Sequence, residues 1–343
     1  MNSTKLRFAL HAVCLILLVS GLLHADAYIV LSQTQKPTAE EKGNTGSMFK
    51  HDYAEVNGVR LHYASLGKGK LIMFVHGFPE FWYEYKNQLA DFGKDFLAVA
   101  PDMRGYNLSS KPTDVEQYQV KYLIEDLRAL AEHLGHKKFT LVGHDWGGAV
   151  AWAFAIAHPE YLDQLVIINA PHPGVFQREL RQNPDQQKAS QYMLMFRSPQ
   201  AEQILSANNY STLVSVVMGE GLKQGHFNEE DKKAYIEAWS QPGALTGGLN
   251  YYRAARVGPP TEGGDKEIAN FAGVLPSLVV KVPTLVIWGE KDTALLTGNL
   301  VGLDQYVPKL TIKRIPDGTH WVIHEKPQLI NSYIREFIKG KPQ

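Results

Sequence analysis

Two stretches, Tyr53–Val56 and Val59–Ala64, alternate polar and apolar residues on either side of an Asn57-Gly58 pair. That pattern predicts a β-hairpin closed by a tight turn. Beyond it the apolar residues run together, as Leu71–Val75, Phe96–Ala100, Phe139–Val142, Leu165–Ile168 and Thr284–Trp288, and helical stretches such as Tyr118–Leu134 and Gly147–Ala157 lie between them. Strands that are apolar on both faces are covered on both, so the pattern predicts an α/β domain with a mostly parallel central sheet and helices on either side. From about Pro171 to Lys281 the alternation of strand and helix stops. Gln186–Phe196, Ala201–Met218, Asp231–Trp239 and Gly248–Val257 read as helices with no strand between them. Such an insertion is usually a cap, so residues 51–170 and 282–343 are expected to form the core and 171–281 a helical cap.

The beginning of the chain follows neither pattern. Lys5 and Arg7 precede a small or apolar run from Ala12 to Leu23, and His24-Ala25-Asp26-Ala27 ends in an A-x-A site. Residues 1–27 therefore read as a signal peptide with Tyr28 as the first mature residue, which predicts an exported protein, periplasmic or secreted. The alternative is a retained membrane anchor, for which the run is short of the roughly 20 apolar residues a spanning helix needs. Residues 28–50 are polar and aperiodic and read as a flexible tether, with the folded domain beginning near His51.

Composition changes this picture in two places. Thirty-five basic residues balance 35 acidic ones, which removes the positive field that a nucleic-acid partner would require. The single cysteine, Cys14, lies inside the N-terminal apolar run, so the rest of the chain has no thiol, which excludes intrachain disulfides, a cysteine nucleophile and thiolate metal sites.

Candidate chemistry gathers where strands end. Gly143-His144-Asp145-Trp146-Gly147 joins an apolar strand to a helix and has the form G-x-nucleophile-x-G, in which small flanking residues let the backbone turn sharply and lift the middle side chain into a cleft. Alone, Asp145 could equally cap the following helix. Such an elbow needs an acid and then a histidine later in the chain. Asp292 follows the strand that ends in Trp288, and His320 follows the strand-like run Leu310–Ile315. The backbone N–H groups of Phe78, after the strand Leu71–Val75, and of Trp146 are placed to form an oxyanion hole. His76, Pro79 and Trp146 are expected to border the substrate.

These motifs, His76-Gly77-Phe78-Pro79 among them, resemble the α/β-hydrolase fold, and an aspartate nucleophile with H-G-F-P is similar to its epoxide hydrolase branch. Asp102-Met103-Arg104-Gly105-Tyr106, Asn169-Ala170-Pro171-His172-Pro173 and Gln241-Pro242-Gly243-Ala244-Leu245 extend the resemblance over roughly residues 51–338. Asn107 departs from it, standing where the family usually has glycine, but asparagine tolerates positive φ.

An aspartate nucleophile suits an sp³ carbon, because attack on an acyl group would give an anhydride and be reversed. Opening an epoxide leaves an alkyl ester on Asp145, and His320, oriented by Asp292, can activate water against that ester. Epoxide opening also needs acids opposite the nucleophile. The cap offers Tyr192, Tyr210, Tyr235, Tyr251 and Tyr252. Only one of the last two can face Asp145, since adjacent helical residues point about 100° apart, and the resemblance selects Tyr192 and Tyr252. The implied substrate is a small-molecule epoxide with water. A haloalkane or haloacetate dehalogenase with the same nucleophile is the competing enzyme, and a non-catalytic binding protein on this fold is a third reading, whose sign would be a broken triad.

Other features take ordinary roles. His320 and His324 have the spacing of a zinc helix but lack its glutamate, so no metal is expected. No glycine-rich phosphate cradle occurs, so no nucleotide cofactor is implied. His144 is expected to pack or hydrogen-bond beside the nucleophile, and His172 to order the junction of sheet and cap.

Overall fold

The structure, a computed structural model, describes residues 48–261 and 277–340. The expected signal peptide, most of the tether and residues 262–276 of the expected cap lie outside the described residues. The first strand, β1 (Lys50–Val56), begins at the last tether position and pairs antiparallel with β2 (Val59–Gly67). Their turn is the predicted one: Asn57 and Gly58 both take positive φ, 46° and 75°. That hand matches the twist of the flanking strands.

Six further strands complete one sheet: β3 (Leu71–Val75), β4 (Leu97–Pro101), β5 (Phe139–His144), β6 (Leu162–Ile168), β7 (Thr284–Gly289) and β8 (Leu310–Ile315). Their order is β1-β2-β4-β3-β5-β6-β7-β8, antiparallel as far as β4 and parallel from there on. The chain thus moves one way from β3 to β4 and the other way from β5 to β8. In open sheets of this kind ligands bind beyond the carboxyl ends of the strands at the point of reversal. Here that point lies between β3 and β5, the strands that carry H-G-F-P and the elbow.

Helices cover the sheet. Among them, α1 (Lys86–Phe92) packs on the C-terminal helix and α2 (Val120–His133) on α3 (Asp145–Ala157). Every residue of β3 and β5 is buried, as their unbroken apolar runs require. The helix predicted from Tyr118 starts at Val120, because Val115–Tyr118 forms a 3-10 turn first.

Between β6 and β7 the described residues form six helices and no strand. These are α4 (Pro173–Gln182), α5 (Pro184–Ala189), α6 (Tyr192–Arg197), α7 (Ala201–Gln224), α8 (Glu229–Ser240) and α9 (Ala244–Ala255). No helix is predicted over α4, which starts on Pro173, a favourable first helical position, and α5 and α6 are predicted as one helix. They are separate because the buried Gln186 side chain donates to Ser190 Oγ (2.9 Å) and to the Ala294 carbonyl (2.8 Å), pinning a tight turn at Ser190 and Gln191. Kinked at Asn208–Tyr210, where φ is positive, α7 runs on past its predicted end. After β8 come α10 (Val322–Glu325) and α11 (Pro327–Lys339), the helix that packs on α1.

Candidate active site

The elbow is built by close approach. Asp145 has φ 48°, a left-handed conformation that strains any residue with a Cβ. It is tolerated because the neighbours are small: a Cβ on Gly147 would lie 1.9 Å from the Val75 carbonyl oxygen, and one on Gly77 would lie 2.4 Å from Asp145 itself. With that space free, α3 begins against the end of β3. The Phe78 N–H then reaches Asp145 Oδ1 at 2.9 Å, where the oxyanion hole was expected. Trp146 occupies the first turn of α3, and its ring meets that of Tyr252 edge-on, with centroids 5.0 Å apart.

Asp292 and His320 arrive from the ends of β7 and β8. His320 Nδ1 lies 2.7 Å from Asp292 Oδ2, and its Nε2 lies 3.6 Å from Asp145 Oδ2. Burial opposes charge on this imidazole, but the Asp292 and Asp145 carboxylates outweigh it and push the pKa up to about 9. Asp292 is itself held ionised. Burial works against its charge, yet His320, the N–H groups of Ala294 and Leu295 (2.8 Å each) and the Asn169 amide (2.8 Å) keep its pKa below the ordinary value.

Above these residues lies a largely apolar cleft. Asp145, Trp146, Tyr192 and Tyr252 line it, and apolar side chains such as Phe176, Leu180, Met193 and Leu295 form most of the remaining wall. Of the five candidate tyrosines between β6 and β7 only Tyr192 and Tyr252 reach it, with ring centroids 6.5 Å apart. Burial first and the Asp145 charge second raise both phenols well above their usual pKa, so each keeps its proton. The other three are occupied elsewhere: Tyr251 donates to the Arg104 carbonyl (2.9 Å), Tyr210 to the Trp239 carbonyl (3.2 Å), and Tyr235 bonds Glu80.

An α/β-hydrolase-fold family model matches residues 70–327. Mouse epoxide hydrolase 4 is 36% identical over 86% of this chain and 81% of its own length. The chain belongs to the epoxide hydrolase family. Within that family it resembles the crystal structure of a Bacillus megaterium epoxide hydrolase in complex with an inhibitor, with 40% identity, a TM-score of 0.80, and coverage of 84% of this chain and all of the other. The Bacillus subtilis AB hydrolase superfamily protein YfhM is 39% identical over 85% of this chain and 99% of its own.

Two expected substrate contacts of this epoxide hydrolase family member need correction. His76 and Pro79 do not line the cleft. His76 Nδ1 donates to the Gly77 carbonyl (2.8 Å) and Nε2 accepts from the Met103 N–H (2.9 Å), so the buried ring braces the loop after β3. The Pro79 carbonyl accepts from the Trp239 indole, a tie between that loop and α8 (2.6 Å). His172 ties the start of α4 to Leu278 (3.0 Å) and stacks on Tyr306, the junction role expected of it. Asn107 has φ 38° and donates to Asp102 (2.8 Å).

The His320/His324 spacing serves two separate carboxylates, since His324 Nε2 faces Glu80 at 3.0 Å. Among the described residues no group of three or more potential ligands is arranged to hold a metal. Sequence reasoning missed Asn169, which has φ 38° and bonds both Asp292 and the Gly289 N–H. Its signals were its place at the end of β6 and in the Asn169-Ala170-Pro171-His172-Pro173 run that carries part of the family resemblance.

Proposed function

We propose that this chain hydrolyses epoxides to vicinal diols through an alkyl ester on Asp145. The observation that carries the proposal is the placement of one carboxylate among four groups: the Phe78 N–H, the His320 imidazole and, across an apolar cleft, two protonated phenols. Asp145 attacks an epoxide carbon, the C–O bond breaks, and Tyr192 and Tyr252 donate to the oxygen as it becomes an alkoxide. These hydrogen bonds strengthen toward the transition state, which is the kind of interaction that accelerates a step.

The raised pKa of His320 supports the order of events. In the resting site two carboxylates hold a proton on His320. Alkylation turns Asp145 into a neutral ester, so one of them is lost, the pKa falls, and that proton passes by way of the phenols to the new hydroxyl. The imidazole is then free to take a proton from water, which attacks the ester carbonyl while the Phe78 N–H stabilises the oxyanion. Collapse returns the proton to the departing diol, and the regenerated carboxylate draws one back to His320. One epoxide and one water give one diol.

The dehalogenase reading is not favoured, because a halide leaves without a proton and has no use for paired phenols. The intact triad argues against a non-catalytic binder. Export, with Tyr28 as the mature N-terminus, remains part of the proposal on the strength of the basic, apolar and A-x-A regions.

The test is product release from a panel of epoxides, haloalkanes and fluoroacetate by the wild type and by Tyr192→Phe/Tyr252→Phe. Diol from epoxides without halide or glycolate is expected, and the double variant should lose about 10²–10⁴-fold in alkylation rate. Near-wild-type epoxide opening by that variant, or halide as the main product, would refute the proposal.

A further inference from the structure

Glu84 is a fully buried carboxyl in the 3-10 turn Trp82–Tyr85 and takes no part in the chemistry above. Its Oε1 lies 2.5 Å from Nδ1 of His144, which is fully buried too, and Nε2 of His144 lies 2.9 Å from the backbone carbonyl oxygen of His320. A carbonyl only accepts, so Nε2 carries the hydrogen. A neutral imidazole has a single N–H, which leaves Nδ1 bare. Neither oxygen of Glu84 nor Nδ1 of His144 has a hydrogen-bond partner in the structure, and with Glu84 ionised the 2.5 Å contact would press two acceptors together. A proton on the carboxyl gives that contact the donor it lacks.

The alternative is a buried ion pair of Glu84 and a doubly protonated His144. It would place a cation 4.7 Å, centroid to centroid, from the ring of His320, the group that must itself take up a proton. The groups facing the pair are Glu80 and Tyr85 from the segment after β3, His324 from α10, and Asp145 and His320 from the site, together with the Gly77 N–H. Burial first and the Glu80 carboxylate second drive Glu84 well above the usual carboxyl range. Burial first and His320 second bring His144 down to about 4. Both directions favour the neutral pair.

We propose that Glu84 is a positioning residue: a glutamic acid whose O–H donates to His144 Nδ1 and so commits the His144 Nε2–H to the carbonyl of His320, holding the backbone of the general base against the Asp145 ester. The proposal rests on the assignment of His320 as the base of ester hydrolysis. Asp292 fixes the ring of His320 from one side, and the Glu84–His144 chain fixes its backbone from the other. A flip of His144 to the Nδ1–H tautomer would leave that carbonyl without its donor.

Two substitutions separate donation from bulk. Glu84→Gln keeps an N–H donor in place of the carboxyl O–H, whereas Glu84→Met keeps most of the volume and donates nothing. In pre-steady-state turnover of an epoxide, Glu84→Gln should stay within about threefold of the wild type in both steps. Glu84→Met should keep its alkylation rate but hydrolyse the ester about 10–100-fold more slowly, so that alkyl-enzyme accumulates. In the wild type, ¹⁵N NMR of His144 should show the Nε2–H tautomer throughout pH 5.5–8, a readout that holds whether or not the variants fold.

Ester hydrolysis at the wild-type rate in Glu84→Met, equal slowing in Glu84→Gln, or a doubly protonated His144 would overturn the proposal. If the wild type forms no ester on Asp145, the assignment of the nucleophile falls, and the tautomer of His144 still decides the role of Glu84.

Discussion

Two histidine–carboxylate pairs stand against each other where β5 turns into α3, Asp292–His320 and Glu84–His144, and their surroundings drive them in opposite directions. Both carboxyls are buried and both contacts are short, 2.7 and 2.5 Å. What differs is the supply of donors. Asp292 receives two backbone N–H groups and the Asn169 amide besides its histidine, so it stays ionised and raises His320. Glu84 stands beside a second buried carboxyl, Glu80, which makes a charge on Glu84 more costly. The same pair of residue types is therefore charged at the open end and neutral at the sealed end, because hydrogen bonds to a carboxylate favour its anion and burial beside another carboxylate disfavours it.

Making one chemical edit in both places breaks this comparison most sharply. Asp292→Asn removes the charge that holds and orients His320, and ester hydrolysis should fall by about 10³–10⁴-fold. Glu84→Gln makes the same exchange of carboxyl for amide and should change the rate little. Equal losses measured by stopped-flow and quench kinetics would show that the two pairs do the same work.

A smaller effect is expected in stability against pH. The pKa of His320 is raised on folding, so its contribution is complete below the ordinary histidine value and is lost as pH climbs through about 9. Thermal melts of the wild type should therefore drop further between pH 6 and pH 10 than those of His320→Gln. Parallel curves would mean that His320 carries no charge in the resting site.

The smallest effect is expected for Asn169→Ala, which removes one of the donors to Asp292 and the acceptor for the Gly289 N–H. It should cost on the order of 1–3 kcal/mol of stability in denaturant titrations. It should also lower the His320 pKa by less than Asp292→Asn does. A variant as stable as the wild type would show that the backbone donors alone keep Asp292 ionised.

The open pair could be read from the chain because its members sit at strand ends in a fixed order, each announced by an apolar run. The sealed pair could not. Glu84 and His144 lie 60 residues apart, and the network continues to Tyr235, which bonds Glu80, and to His324, which is 244 residues from Glu80. No periodicity links such positions; only the packing of the turn after β3 under the elbow brings them together. His76 illustrates the reverse error, since its place in a motif beside the site suggested a substrate contact, whereas two backbone groups claim both its nitrogens. In the same way the turn at Ser190 was invisible, because Gln186 reaches for Ala294, 108 residues further along.

The proposed chemistry depends on the covalent ester, and a single turnover in H₂¹⁸O tests that ester most directly. Water that attacks the carbonyl of the Asp145 ester leaves heavy oxygen in the Asp145 carboxyl, and the first diol released carries the light oxygen that Asp145 supplied. Mass spectrometry of the Asp145 peptide should therefore show ¹⁸O after one turnover, with an unlabelled diol. A labelled diol beside an unlabelled Asp145 would mean that water opens the epoxide directly, and the assignment of Asp145 as nucleophile would be wrong.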